Sequence, residues 1–235
     1  MRIPAQPSQP RTRTTKRPGF VAVHTSVLLT GVWLALAIAG FIGLGVYANT
    51  PGRPTTGILR WPSDSGLALC EHSPTVVVFL HPRCDCSHAT LANLARALPG
   101  LSAAPRIIGV LGHPLDKDPE DWCVGSLRTS LSRLPNSELR FDPEGVEAAR
   151  FGATTSGHVM VFMPTSEPVF SGGLTIARGH EGRNGALDMF VRLLAAHEAP
   201  PQLTCRPVFG CELVLPKVSR GHESCDALGS CGAES

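Results

Sequence analysis

The longest apolar stretch of the chain lies near its N-terminus. No Asp, Glu, Lys or Arg occurs between Arg17 and Arg53, and the densest apolar part covers residues 27–48. About 20 apolar residues are enough for a helix to cross the hydrocarbon core of a bilayer. The pattern therefore predicts a single transmembrane helix over 21–48, which inserts into the lipid bilayer.

The charges that flank this stretch predict its orientation. Five cations and no acid precede it, and positive flanks stay in the cytoplasm. Residues 1–20 are therefore expected to form a disordered cytoplasmic tail. A cleaved signal peptide is the alternative, because Val46-Tyr47-Ala48 resembles a cleavage site. The apolar stretch exceeds the roughly 7–15 residues of a signal core, which favours a signal anchor in the inner membrane with the rest facing the periplasm or exterior.

Beyond a linker over 49–66, the hydrophobic pattern alternates between strands and helices. The runs at 75–80 and 106–111 are rich in branched residues and predict buried strands. The spacing of Leu91, Leu94 and Leu98 predicts one face of a helix. Further expected elements are a helix over 121–134, a strand at 139–141, a helix over 143–151 capped by Asp142, a hairpin of 158–163 and 168–170, and a helix over 187–196.

This order of elements predicts the class of fold. Residues 67–200 should form an α/β layer fold whose sheet is parallel at its start and antiparallel at its end. Residues 201–235 should form a Cys-containing C-terminal tail.

Net charge and cysteine content bear on the class of partner and on the compartment. The net charge of +2 argues against a nucleic-acid-binding protein driven by bulk charge, so no nucleic-acid partner is expected. Eight cysteines are many for a reducing compartment, which agrees with a domain outside the cytoplasm.

Cys84 and Cys86 lie where the first predicted strand meets its helix. The helix dipole and free backbone N–H groups should lower the pKa of a thiol there below about 8.5. Cysteines two residues apart close a small, strained disulfide, which exchanges readily. The hypothesis is thiol–disulfide exchange or isomerisation without a cofactor, in which Cys84 attacks and Cys86 resolves the mixed disulfide. Two structural cysteines, or pairing of one with Cys70 or Cys123, are the alternatives.

A metal site is the competing interpretation of the same turn. His81, Cys84, Cys86 and His88 lie within eight residues, and thiolates with imidazole are ligands that Cu(I) or Zn favours. In this alternative the protein binds copper and serves as a metalloprotein assembly factor.

The tail carries four further cysteines, at 205, 211, 225 and 231. Their spacing departs from the x2–4 pairs of zinc sites, whereas disulfides suit a loop-rich segment outside the cytoplasm. Four cysteines allow three connectivities, among which the sequence does not choose. Cys211, after Phe209-Gly210, has the alternative of folding back onto the Cys84 turn as a resolving thiol.

The segment VVVFLHPRC running into a helix resembles the active-site turn of the thioredoxin-like superfamily, over about 67–197. The stretch LRFDPEGVEAARFGATTSGHVMVFMPTSEPVFSGG is similar to the second half of its membrane-anchored reductases. The motifs HPRCDCSH, SGGLTIARGHEGRNG and VFGCEL look more narrowly like RedB-type proteins of this superfamily.

This resemblance implies a thioredoxin-like fold and an oxidoreductase or isomerase acting on protein thiol or disulfide clients. Copper-site assembly factors share the fold, and so would a non-catalytic interaction domain. Two departures qualify it: Ser87 stands where the family has its second cysteine, and Gly157 stands where it has a cis-proline.

Overall fold

The computed structural model describes residues 20–53, 57–122, 125–196 and 202–213. The chain divides into two compact units, Met1–Val46 and Tyr47–Ser235. The first unit contains nearly all of helix α1 (Phe20–Asn49). Within this helix, His24–Asn49 is long and apolar enough to cross a membrane. The predicted apolar helix is thus present, while the predicted tail, apart from Phe20, lies outside the described residues.

The second unit is built on a six-stranded mixed sheet with strand order β3-β2-β1-β4-β5-β6. Strands β1, β2 and β3 run parallel, whereas β4 runs antiparallel to both β1 and β5, and the short β6 is parallel to β5. The strands are β1 (Thr75–Leu80), β2 (Arg106–His113), β3 (Ser137–Pro143), β4 (His158–Phe162), β5 (Pro168–Gly173) and β6 (Thr204–Cys205).

Helices and a loop segment cover the two faces of this sheet. The helices are α2 (Asp85–Ala97), α3 (Pro119–Trp122), α4 (Ser126–Ser132), α5 (Val146–Arg150) and α6 (Gly185–Ala195), with a 3-10 turn at Leu98–Gly100. One core packs Val76 and Val78 of β1 against apolar residues of α2, α4 and α6. The other packs Val77 and Phe79 against α5 and residues near Trp61. Because β1 is buried on both faces, all six of its residues are apolar or β-branched.

The order and direction of the strands are those of a thioredoxin-like α/β fold, as the sequence predicts. The parallel β1–α2–β2 unit is followed by the antiparallel pair β4 and β5. In this arrangement β1 is central and its carboxyl end leads directly into α2.

Two predicted helices differ from the observed ones. The helix expected over 143–151 begins only at Val146, because Pro143 still pairs with His113 at the end of β3. The N-cap residue is Gly145 and not the predicted Asp142, but the Asp142 carboxylate accepts hydrogen bonds from the N–H groups of Glu147 and Ala148 in the first turn, at 2.8 and 2.9 Å. The expected helix over 121–134 is seen as the separate helices α3 and α4.

The segments on either side of the predicted domain also contact it. Trp61, from the expected linker, packs edge-on against Phe151 and Phe162 with ring centroids 5.0 Å apart in each pair. Residues 204–205, from the expected tail, add the edge strand β6 to β5. Two residues of the described part of the tail therefore belong to the sheet.

Candidate thiol site

Cys84 occupies the turn between β1 and α2. It is the N-cap residue of α2, in extended conformation, and its carbonyl accepts a 2.9 Å hydrogen bond from the N–H of Ser87. The Ser87 hydroxyl in turn accepts a 2.9 Å hydrogen bond from the N–H of His81. These bonds fix the turn, and they leave the Cys84 and Cys86 side chains only 2% and 4% exposed.

The structure brings a third thiol to this turn. The sulfur of Cys211 lies 3.0 Å from the sulfur of Cys84, although the two residues are 127 positions apart. Both are free cysteines, as is Cys86. Cys211 itself is partly exposed. Three thiols therefore meet at the carboxyl end of the central strand.

Backbone pairing carries Cys211 to this position. Residues 211–213 run antiparallel to 154–156, with an isolated bridge between Thr155 and Glu212. The N–H of Ser156 donates to the carbonyl of Cys211 at 2.8 Å, and the N–H of Leu213 donates to the carbonyl of Thr154 at 2.9 Å. The segment 211–213 is thus fixed on the edge of the turn that precedes β4.

Ser156 joins the two cysteines. Its buried hydroxyl donates to the Cys84 sulfur at 3.0 Å and accepts from the N–H of Cys211 at 2.9 Å. The serine therefore stabilises negative charge on Cys84 and positions the backbone of Cys211. Sequence reasoning missed this residue, because a lone serine before Gly157 carries no signal of its own.

The donors around Cys84 set the protonation of the three thiols. Hydrogen bonds from Cys86, Ser156 and Cys211 lower the pKa of Cys84 to about 3, against the opposing effect of burial. The same interaction with Cys84, together with burial, raises the pKa of Cys86. Burial and the Cys84 contact raise the pKa of Cys211 to about 11. At neutral pH the cluster therefore holds one thiolate, on Cys84, and two thiols.

The expected direction of the Cys84 pKa shift agrees with the structure, but the physical cause differs. The sequence predicts that free N–H groups at the helix start lower this pKa. Cys84 makes no side-chain capping bond to α2, and its stabilisation comes from neighbouring side chains. The decisive groups are Cys86, Ser156 and Cys211, of which two are distant in sequence.

The segment 174–184 covers Cys86. The N–H of Gly179 donates a hydrogen bond to the Cys86 sulfur. Buried Asn93 of α2 holds this segment down, because its side chain donates to the carbonyl of Leu174 at 2.8 Å and accepts from the N–H of Gly182 at 2.9 Å. The segment thus closes the α2 side of the thiol cluster.

The two histidines of the alternative metal site lie on the same turn but form no ligand set with the cysteines. Among the residues that the structure describes, no group of three or more His, Cys, Asp or Glu side chains is arranged to hold a metal ion. His81 lies edge-on to Trp122, with ring centroids 6.4 Å apart, and burial lowers its pKa. His88 is half-buried on α2. The copper site stays a prediction without support from this geometry.

Gly157 stands at the position where the superfamily resemblance implies a cis-proline. It has a positive φ of 81°, and a Cβ there would lie 2.8 Å from the Thr90 hydroxyl oxygen. Its N–H donates to the carbonyl of Phe79 at 2.7 Å. Glycine is therefore required by both the backbone conformation and the close approach of α2.

The remaining cysteines lie away from the cluster or outside the described residues. Cys70 is a free thiol near Ser73, at 3.3 Å from its hydroxyl oxygen. Cys205 is disulfide-bonded, and its partner lies outside the described residues. Cys123, Cys225 and Cys231 also lie outside them, so their pairing stays a prediction.

No protein-family model matches the sequence, and no curated protein matches it. Among solved structures, the fold is similar to an uncharacterized conserved protein of Geobacillus kaustophilus, at 16% identity and TM-score 0.49, covering 73% of this chain and 94% of that one. A hypothetical protein of Sinorhizobium meliloti is similar at 15% identity and TM-score 0.46, covering 72% and 96%. A secreted disulfide oxidoreductase of Mycobacterium tuberculosis is similar at 16% identity and TM-score 0.33, covering 52% and 81%. Identities and TM-scores this low do not indicate a function, so the function is inferred from the residues of this chain.

Proposed function

We propose that this chain is a membrane-anchored thiol–disulfide exchange protein that acts outside the cytoplasm on protein thiols or disulfides. The observation that carries the proposal is the position of the Cys84 sulfur, 3.0 Å from both the Ser156 hydroxyl and the Cys211 sulfur. Hydrogen bonds from Cys86, Ser156 and Cys211 lower its pKa to about 3. The thiolate is the form that attacks a disulfide. A thiolate at neutral pH, with two further thiols beside it, has the composition that a two-step exchange needs.

The reaction begins when the Cys84 thiolate attacks one sulfur of a client disulfide. A mixed disulfide forms between Cys84 and the client, and the other client sulfur leaves as a thiolate. A second thiol of this chain then attacks the Cys84 sulfur and releases the client. Cys86 is the resolving residue of the sequence-based hypothesis, and the sulfur of Cys211 also lies 3.0 Å from that of Cys84.

The compartment of the site follows from the N-terminal helix and its charges. Five cations precede the apolar helix, so the positive-inside rule keeps the N-terminus in the cytoplasm. The domain that carries Cys84 then faces an oxidising compartment, which also suits the disulfide at Cys205. In this proposal the helix anchors the exchange site to the bilayer.

Reduction of insulin disulfides by the full chain in detergent, with dithiothreitol as electron donor, tests the proposal. Cys84→Ser should bring the rate down to that of dithiothreitol alone, because no other described thiol has a lowered pKa at this turn. Cys70→Ser is the matched control, since Cys70 lies outside the cluster and its loss should leave the rate unchanged. Equal rates for wild type and Cys84→Ser would instead indicate a non-catalytic interaction domain.

A further inference from the structure

We infer that Cys211, rather than Cys86, resolves the mixed disulfide on Cys84, so that Cys84 and Cys211 form the redox-active pair. The assignment rests on the proposed exchange function and adds its second reacting residue. It departs from the Cys-x-Cys pair that the sequence favours. The partner thiol would come from a segment 127 residues away.

The first support is the placement of Cys211. Its sulfur is already 3.0 Å from the Cys84 sulfur, and both its backbone groups are held by Ser156. A disulfide requires the two Cα atoms to lie within about 4.4–6.8 Å of each other, with the side chains directed together. Two sulfurs in contact need little backbone movement to bond.

The residue before Cys211 explains how the segment approaches so closely. A Cβ on Gly210 would fall inside the contact radius of the Ser156 carbonyl oxygen. The Gly210 carbonyl also accepts a hydrogen bond from the Arg178 guanidinium. Glycine therefore permits the approach, and Arg178 holds the peptide in place.

Cys86 has a different environment. It lies on the first turn of α2, it is only 4% exposed, and its sulfur accepts a hydrogen bond from the N–H of Gly179. The Cys86 thiol does contact the Cys84 sulfur. A disulfide between cysteines two residues apart nevertheless closes a small ring that is strained by the geometry a disulfide prefers. We assign Cys86 as a positioning residue whose thiol donates to the Cys84 thiolate.

The electrostatics order the two steps. While Cys84 is a thiolate, burial and the contact with Cys84 keep the pKa of Cys211 at about 11, and Cys211 stays protonated. Formation of the mixed disulfide removes the negative charge from Cys84. The positive charge of Arg178 then lowers the pKa of Cys211 without the opposing effect of Cys84, while burial and Asp85 still raise it. Cys211 therefore becomes a better nucleophile only after a client has bound.

The chemistry balances as two exchanges. The Cys84 thiolate forms a bond to one client sulfur and releases the other as a thiolate. Cys211 loses its proton to solvent, attacks the Cys84 sulfur and forms the Cys84–Cys211 disulfide, which breaks the bond to the client and releases a second thiolate. The client disulfide gains two electrons and the Cys84–Cys211 dithiol loses them.

Stoichiometric reaction with the aromatic disulfide Ellman's reagent tests the assignment. Three forms of the full chain are compared in detergent: the background chain, which contains Cys70→Ser, and the same chain with either Cys86→Ser or Cys211→Ser added. Peptide mass mapping identifies the adduct or disulfide at each cysteine. The background chain should release two thionitrobenzoates per Cys84 and end with a Cys84–Cys211 cross-linked peptide. Cys86→Ser loses the thiol that donates to Cys84, so the rate of its first release should change, but it should end with the same cross-linked peptide. Cys211→Ser should release one thionitrobenzoate and keep the adduct on Cys84.

A second variant retains all three thiols of the cluster. Gly210→Ala should displace Cys211 from Cys84 and slow the second release by roughly 10- to 100-fold, while the Cys84 thiolate still carries out the first release. Resolution in Cys211→Ser at the background rate would overturn the assignment to Cys211. Loss of resolution in Cys86→Ser would also overturn it, because Cys86 would then be required. In both cases Cys84 still reacts with Ellman's reagent, so the proposed function is unaffected. In this experiment the proposed function is contradicted if Cys84 of the background chain does not react.

Discussion

The chemistry of Cys84 depends on single hydrogen-bond donors from distant parts of the chain. Ser156 lies 72 positions away, yet its hydroxyl is 3.0 Å from the Cys84 sulfur in a buried setting. A hydrogen bond to a charged group in such a setting contributes about 1.5–3 kcal/mol. Each donor therefore has a measurable share in the low pKa of Cys84.

Replacement of Ser156 by alanine should raise the pKa of Cys84 by at least about one unit, because one pKa unit corresponds to about 1.4 kcal/mol. The measurement is the pH dependence of alkylation at Cys84 by iodoacetamide, followed by peptide mass mapping. Ser73→Ala is a matched control, since that hydroxyl contacts only the remote Cys70 among the described thiols. An unchanged Cys84 titration in Ser156→Ala would contradict the role given to this hydroxyl.

Residue patterns in the sequence locate Cys84 but do not reveal its partners. The β-branched run ending at Leu80 and the helical spacing of Leu91 and Leu94 place Cys84 at a strand–helix junction, and the structure has it there. Ser156 and Cys211 reach the same point through pairing of 154–156 with 211–213. Such pairing between distant backbones leaves no local periodicity, so the sequence offered Cys211 only as an alternative.

The segment 174–184, which lies over Cys86, is an element held in place by side-chain amides. Asn93 binds this segment at two points, through Leu174 and Gly182. Asn184 adds a 3.0 Å bond to the same Leu174 carbonyl and caps α6 through the N–H of Leu187. The segment is thus fixed to two helices by amide side chains rather than by apolar packing alone.

Asn93→Ala should loosen this segment and expose Cys86. The variant leaves the Leu174 carbonyl and the Gly182 N–H without their Asn93 partner, at a cost of roughly 1–3 kcal/mol. Alkylation of Cys86 in denaturant-free buffer should accelerate several-fold, measured by mass mapping. The rate at Cys70 in the same molecule is the internal control. Equal acceleration at both thiols would mean general unfolding and would contradict a local role for Asn93.

The predicted start of helix α5 differs from the observed one because strand pairing includes the residue that the sequence pattern places first in the helix. The sequence places a helix start at Pro143, which is a favourable first helical residue. In the structure Pro143 completes the parallel pairing of β3 with β2. The Asp142 carboxylate, at the end of the strand, accepts hydrogen bonds from the N–H groups of Glu147 and Ala148 in α5. Sheet register, which depends on both strands, decided this boundary.

For the whole molecule, the proposed location of the thiols depends on the apolar helix His24–Asn49 and the cations before it. An alkaline phosphatase fusion after residue 60 should be active in a bacterial host, because that enzyme needs an oxidising compartment. A cytoplasmic reporter fused at the same position should be silent. The opposite pattern would place Cys84 in a reducing compartment and contradict the proposed location.

The most direct test of the central claim is the rate of exchange between the full chain and glutathione disulfide as a function of pH. The folded-state pKa of Cys84 is about 3, so its thiolate persists as the pH falls toward that value. The rate of the wild type at about pH 5 should therefore lie within a few-fold of its rate at about pH 7, whereas an ordinary thiol would slow about 100-fold over that interval. Cys84→Ser should not show this reaction at low pH. A rate that falls tenfold per pH unit, or one that survives in Cys84→Ser, would contradict the assignment of Cys84 as the attacking thiolate.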